Sequence, residues 1–374
     1  MTVSLAAPPE DVFVERIRRA KEELERQGVD LLLLGPSSDL FYLTGFRAHV
    51  SERMNLLGVP RQGAPFLIVP VLEAPNAKEQ ADLVEIHAWE ETQSPAELAA
   101  KLAGSVDGKT IAVGDQLWSV FLLRLQAAMP GARWLPAQNV MRALRMCKDA
   151  YEIAVMREVS RLTDEAWAEF VASGPISGLT ETQAMERLAG LMKKRGLGGN
   201  FGICASGPNS AAPHYHTGDR VIQRGDVVIF DWGGVLHGYN SDITRTVVVG
   251  SEPTEEFRRV YEIVLKANQA TFEAVKPGVP CERLDQVARQ IITEAGYGPQ
   301  FLHRVGHGLG LDVHEEPYLV SGNTLPLQPG MIFSDEPGIY LEGRFGVRIE
   351  DAVLCTETGG ERLNNASREI IVMD

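Results

Sequence analysis

The chain has 374 residues, more than one hydrophobic core usually organises, so two domains are expected, each able to bury a core of its own. Its formal net charge of −14, without any clustered run of Lys or Arg, argues against a polyanion-binding surface and therefore against nucleic acid as a partner. The four cysteines, Cys147, Cys204, Cys281 and Cys355, form no Cys-x-x-Cys pair, which excludes a thiolate zinc site and leaves buried, inert thiols as the reading.

Residues 1–10 carry neither a basic leader nor a long apolar stretch, and the longest apolar run, 31–34, is far short of the roughly 20 residues that cross a bilayer. A cytoplasmic protein with no membrane partner is expected. Apolar spacing then predicts a helix over 11–27 stopped by Gly28, and an apolar strand over 29–34. Short strands at 66–69 and 110–113, with a helix over 94–102 between them, complete an α/β domain over residues 1–147.

From Tyr151 the pattern becomes a long amphipathic helix with Ile153, Met156, Val159, Ala166 and Phe170 on one face. A second helix, capped by Thr254, carries Phe257, Val260, Val264 and Ala267, and a third over 284–295 ends near Gly296. The strand signals between and after these helices come in pairs joined by Gly-containing turns, so an α+β domain of antiparallel hairpins is expected over 148–374. No internal repeat shows in the residue pattern.

Two of these hairpins carry acids. The run 226–230 delivers Asp231, and Asp242 opens the return run 243–249. Pairing about the midpoint between 236 and 237 sets Asp231 opposite Asp242, with Cβ atoms about 5 Å apart. The runs 331–336 and 347–351, paired about Gly343, likewise set Glu336 across from Glu350. Facing carboxylates repel unless a cation neutralises them or a proton is shared, so the arrangement asks for a metal or an acid/base dyad.

The stretch Phe301-Leu-His-Arg-Val-Gly-His-Gly-Leu-Gly-Leu-Asp-Val-His314 adds His303, His307 and His314, with glycines flanking His307. One imidazole among several carboxylates is an N/O donor set that suits Mn, Co, Fe or Zn. The Gly-x-Gly-x-Gly spacing is not the dinucleotide fingerprint, which excludes a nucleotide site of that type.

Taken together, Phe230-Asp-Trp-Gly-Gly, Tyr239-Asn-Ser-Asp-Ile-Thr-Arg-Thr, His303-Arg-Val-Gly-His-Gly-Leu-Gly, Asp335-Glu-Pro-Gly-Ile-Tyr and Gly346-Val-Arg-Ile-Glu-Asp resemble the pita-bread metallopeptidases. That group contains methionine aminopeptidase, Xaa-Pro aminopeptidase, prolidase and the creatinases. The segment Asp39-Leu-Phe-Tyr-Leu-Thr-Gly-Phe is similar to the N-terminal domain of the prolidase and creatinase branch, so the resemblance covers the whole chain. It implies a creatinase-like α/β domain followed by a pita-bread catalytic domain.

It also implies two divalent ions, manganese first, with cobalt, zinc or iron as alternatives. Asp242 and Glu350 would bridge them, Asp231 would complete one shell, and His307 and Glu336 the other. His214, His303 and His314 fall at the family's substrate-side positions, and Arg348 at a position expected to contact the carboxylates. The implied reaction is hydrolysis of the bond preceding proline in Xaa-Pro dipeptides. Two metals would lower the pKa of a shared water so that hydroxide attacks the carbonyl, and Glu336 would move its proton. An Xaa-Pro aminopeptidase acting on longer proline-containing peptides is the alternative within the family, and a non-catalytic binding protein the alternative outside it. A homodimer is implied as well. His49, His87, His216 and His237 are read as surface or packing residues, Trp232 and Tyr239 as packing, and Arg304 as a salt-bridge partner.

Overall fold

The computed structural model describes residues 7–374, which divide into two compact units meeting in sequence at Arg145 and Met146. The first unit opens with α1 (Glu10–Gln27), which buries Phe13, Ile17, Ala20 and Leu24 at helical spacing. Gly28 ends it in the left-handed conformation, φ 65°, and the Val29 amide closes on the Leu24 carbonyl at 2.9 Å. Because Val29 completes that cap, β1 starts at Leu31 (Leu31–Leu34), two residues later than the apolar run suggested.

A six-stranded mixed sheet follows. Its members are β1, β2 (Leu56–Pro60), β3 (Phe66–Pro70), β4 (Glu85–Trp89), β5 (Thr110–Val113) and β6 (Arg133–Pro136), in the order β4-β3-β2-β1-β5-β6. Central β1 is buried along its whole length, as four consecutive leucines require. The helices α2 (Ser38–Thr44), α3 (Pro95–Ala103), α4 (Ser119–Ala128) and α5 (Gln138–Arg145) complete the unit. The short α2 and α5 and the strands β2, β4 and β6 were not assigned from the sequence, although α5 buries Val140, Met141 and Leu144 at helical spacing.

The second unit begins with α6 (Ala150–Ala172), started by a capping box in which Asp149 and Glu152 each bond the other's backbone amide. It pairs with α7 (Glu181–Lys194), which the sequence reading did not assign. Four strands follow: β7 (Gly198–Ser206), β8 (Val227–Leu236), β9 (Tyr239–Asn240) and β10 (Ile243–Val249). A second helix pair, α8 (Glu255–Ala274) behind its Thr254 cap and α9 (Cys281–Glu294), leads into β11 (Gly306–Gly308), β12 (Glu315–Leu319), β13 (Ile332–Asp335), β14 (Gly338–Leu341), β15 (Phe345–Arg348), β16 (Asp351–Cys355), β17 (Gly360–Arg362) and β18 (Ile371–Met373). Helix pair then antiparallel strands thus occurs twice, a repetition invisible in the residues themselves. Each half has its own core, one around Trp167, Phe170, Phe230 and Trp232, the other around Phe257, Val264, Leu284 and Phe333.

The β8–β10 ladder differs from the register counted in the sequence. Asp231 lies opposite Thr244, not Asp242, because Leu236 pairs with Tyr239 and the turn is His237-Gly238. Both turn residues take positive φ, 50° and 93°, the type I′ geometry that matches strand twist. Histidine is an uncommon residue there, so the count placed the turn one step early. The shift is two residues, which preserves side-chain parity; a shift of one would have sent Asp231 to the other face.

In the other hairpin the counted register is the observed one. Asp335 pairs with Asp351 and Gly338 with Arg348, so Glu336 and Glu350 sit at matching positions in the short gap between β13–β16 and β14–β15. A bridge between Thr244 and Glu350 then joins the two acidic hairpins. Of the cysteines, Cys204, Cys281 and Cys355 are buried, Cys147 is only half-buried, and none of the four is in a disulfide. Among the described residues no helix is long and apolar enough to cross a membrane.

Candidate metal centre

The two hairpins and β11 converge on a cavity of about 640 Å³ lined by Asp231, Asp242, His307, Glu336 and Glu350 together with His214, His303, Arg304, His314 and Arg348. Every site residue named from the sequence therefore borders one space. Donor atoms of Asp242, His307 and Glu350 all lie within 4.8 Å of one another, and these three side chains are almost wholly buried. Asp231 and Glu336 line the same floor but have other partners. Asp231 Oδ2 accepts from Arg348 Nη2 at 2.7 Å, and Glu336 Oε1 lies 3.3 Å from His307 Nε2.

Elsewhere in the chain such packing of acids would be unstable. Burial, with repulsion from Asp231 and Glu336, pushes the Asp242 carboxyl well above the usual range; burial, with repulsion from Asp242, does the same to Glu350. Burial also raises Asp231, against the pull of Arg348. At Glu336 burial is outweighed by the hydrogen bond and charge of His307, which hold it down to about 2.

The donor set fits a hard or borderline divalent ion. His307 Nδ1 faces the Gly308 carbonyl at 3.1 Å, which turns Nε2 towards the acids, 3.3 Å from Glu336 and 3.8 Å from Asp242, and makes it the ring nitrogen that would bind an ion in place of its contact to Glu336. One ring nitrogen among four carboxylates, buried and short of positive charge, is what Mn, Co, Fe or Zn selects.

Around this floor the chain supplies orienting contacts. Thr244, opposite Asp231, donates through Oγ1 to Glu350 Oε2 at 2.6 Å and accepts from Arg348 Nε at 3.0 Å. Arg348 Nη1 donates to the Tyr340 hydroxyl at 2.9 Å, and that hydroxyl is 2.8 Å from His303 Nε2. Since His303 Nδ1 faces the Arg304 carbonyl at 2.7 Å, it holds the proton there and Nε2 accepts from Tyr340. Arg245, also buried, donates to the backbone carbonyls of Glu350 and Thr244 at 2.6 and 2.9 Å and to Asp351 Oδ1 at 2.7 Å.

Thr244, Tyr340 and Arg245 were not singled out from the sequence. A signal for two of them existed: Thr244 shares a strand face with Asp242, and Tyr340, opposite Gly346, shares one with Arg348. His214 and His314 are exposed in the cavity, and the His314 ring sits 4.0 Å from that of His307, edge to face. Burial, then His307 and Arg304, lower the His314 pKa to about 4, so the ring is neutral at neutral pH.

Trp232 stacks on Trp167 at 4.5 Å and Tyr239 donates to Glu152 at 3.1 Å, packing roles in both cases. Arg304 departs from expectation. Among the described residues it makes no salt bridge, and its guanidinium lies 4.3 Å from the centre of the Tyr318 ring.

A buried cluster of acids with one histidine, at the floor of an open cleft on a doubled helix-and-sheet framework, defines a metal-dependent enzyme. The family model for metallopeptidase family M24 matches residues 154–357, and that for the creatinase/prolidase N-terminal domain matches 16–147. A probable dipeptidase, PepE, of Mycobacterium tuberculosis is 39% identical over 97% of both chains. The crystal structure of dipeptidase PepE from Mycobacterium ulcerans superposes with a TM-score of 0.93 at 38% identity, covering 98% of this chain and 100% of the other. That of a prolidase from Thermococcus sibiricus gives 0.92 at 38% identity, covering 96% and 99%.

The chain belongs to metallopeptidase family M24, with a creatinase-type N-terminal domain ahead of a pita-bread catalytic domain. It is a metallopeptidase, a hydrolase that depends on divalent metal.

Proposed function

We propose that the protein is an Xaa-Pro dipeptidase, cleaving the bond before proline with two divalent ions, manganese first, held by Asp231, Asp242, His307, Glu336 and Glu350. The observation that carries this reading is the gathering of these five side chains around one cavity, with Asp242 and Glu350 held against their charge. Its substrate class is taken from the relatives' names, dipeptidase and prolidase. The division of labour goes with it: residues 1–147 as the creatinase-like domain and 148–374 as the catalytic one. A homodimer belongs to the same proposal by family resemblance, and a cytoplasmic location is supported by the free cysteines.

Bound divalent ions supply Lewis-acid polarisation of the scissile carbonyl and a water of lowered pKa. The chain supplies the rest. Glu336, at the cavity floor, accepts the proton released on attack and passes it to the leaving nitrogen. His314 and His214, exposed in the cavity, donate to the carbonyl oxygen as negative charge develops there. His303 presents a fixed tautomer because Tyr340 and the Arg304 carbonyl occupy its two nitrogens. Arg348 holds Asp231 and Tyr340 in place together.

The test is a paired assay of the chain loaded with Mn, Co or Zn, on an Xaa-Pro dipeptide and on a longer peptide with proline second. Turnover of the dipeptide is expected. Turnover of the long peptide alone would make the enzyme an Xaa-Pro aminopeptidase instead.

A further inference from the structure

We infer that Arg304, seated on the ring of Tyr318, binds the C-terminal carboxylate of the substrate and so restricts this enzyme to dipeptides. The inference rests on the dipeptidase reading above and names the residue that enforces it.

Two guanidinium groups border the cavity. That of Arg348 is fully engaged, donating to Asp231, Thr244, Tyr340 and the Pro213 carbonyl. That of Arg304 has no hydrogen bond or ion pair among the described residues, although it is half-buried and the floor beyond it is rich in acids. A cation placed over the aromatic face at 4.3 Å keeps its N–H donors available, so the fork is positioned but unused.

Its place follows from the ladder. Tyr318 lies directly opposite His307 in the β11–β12 pairing, so both side chains project from the same face of the sheet. The cation on Tyr318 therefore stands beside the imidazole at the cavity floor. In a dipeptide the scissile carbonyl and the terminal carboxylate are about one residue apart, ~3.8 Å. A carbonyl held at the floor thus brings the carboxylate beside it, where Arg304 is the cation whose N–H groups no acid among the described residues has claimed. A planar, bidentate donor answers both the charge and the shape of that group. In a longer peptide an uncharged amide falls there, which offers the guanidinium one neutral carbonyl in place of a charged, bidentate partner.

The experiment compares Ala-Pro with Ala-Pro amide on the manganese-loaded full-length chain, as wild type, Arg304→Gln and Arg304→Lys. Wild type is expected to favour the free acid by about ten- to hundred-fold in kcat/KM, the range of a hydrogen bond to a charged group. Arg304→Gln should erase that preference by raising KM on the acid far more than on the amide, and should keep the metal content. Arg304→Lys should recover part of it, since charge remains but the fork is lost. A wild type that prefers the acid, joined to an Arg304→Gln variant that keeps the preference or loses both activities alike, overturns the role of Arg304 alone. A wild type indifferent to the terminal carboxylate overturns the dipeptidase reading along with it.

Discussion

The hydroxyl of Thr244 lies 2.6 Å from Glu350 Oε2, tying together side chains that are 106 residues apart and belong to different hairpins. It also accepts from Arg348 Nε, so a single small side chain sets both the Glu350 carboxylate, a proposed metal ligand, and the arginine that holds Asp231. Replacing it with Val keeps the shape and removes both bonds. Thr244→Val should weaken manganese binding about 10- to 100-fold, the usual effect of losing an outer contact to a ligand, and Thr244→Ser should restore most of it. Calorimetric titration of the chelated protein with Mn checks this, and equal affinities for wild type and Val would remove Thr244 from the support of the centre.

Asp242 is expected to trade stability for metal. Its carboxyl is pushed up by burial and by neighbouring acids, so in the metal-free fold its charge is unfavourable at neutral pH. A raised carboxyl pKa gives stability that is present at low pH and lost as pH rises, and Asn never acquires that charge. Asp242→Asn should therefore melt higher than wild type in chelator at pH 7, by roughly 0.5–2 kcal/mol, while taking up no metal and showing no turnover. A variant no more stable than wild type would mean that the acids are not strained in this way.

Tyr340 is expected to affect the chemistry and not the ions. Removing its hydroxyl leaves His303 Nε2 without its donor and Arg348 Nη1 with the Pro213 carbonyl as its one remaining acceptor among the described residues. Tyr340→Phe should lower kcat about tenfold or more with metal content unchanged, because a looser imidazole and guanidinium misplace the groups around the substrate. Parallel loss of bound metal would show that the hydroxyl acts on the centre itself.

Asp351 gives the acid limb of stability. Burial works to raise its pKa, but the guanidinium groups of Arg245 and Arg368 outweigh burial and hold it below the ordinary carboxylate value. A depressed pKa contributes stability that is complete above about pH 4 and declines as pH falls below it. Asp351→Asn should cost about 3–5 kcal/mol at pH 7 by leaving Arg245 buried without its counter-charge, and that gap should narrow towards pH 3. Urea titrations of chelated wild type and variant between pH 3 and pH 7 measure it; a gap independent of pH would contradict the assignment.

The sequence by itself determined the types of chemistry present. Asp231, Asp242, Glu336 and Glu350 were legible because acids inside apolar β runs demand compensation, His307 through the Gly-flanked motif that carries the family resemblance, and Gly343 fixed the second hairpin's register by local turn geometry alone. Helix α8 was equally legible, since its cap and apolar stripe are local. What lay outside that reach depended on backbone or side chains meeting far from their own neighbourhood. The positive φ of His237 moved the first register by two. The backbone of Gly233 approaches the Ser241 carbonyl so closely that an added Cβ would stand 2.0 Å from it, closing the hairpin in a way no residue count reveals.

Only the tertiary structure decided that Arg348 serves Asp231, that Thr244 bridges two hairpins, that Tyr340 orients His303 and that Arg304 is left without an acid. Each is a contact across dozens to more than a hundred residues of chain, or a contact that failed to form. Periodicity and capping record what a segment does with its own hydrogen bonds and its own apolar face. They carry no record of which distant side chain arrives to meet a charge.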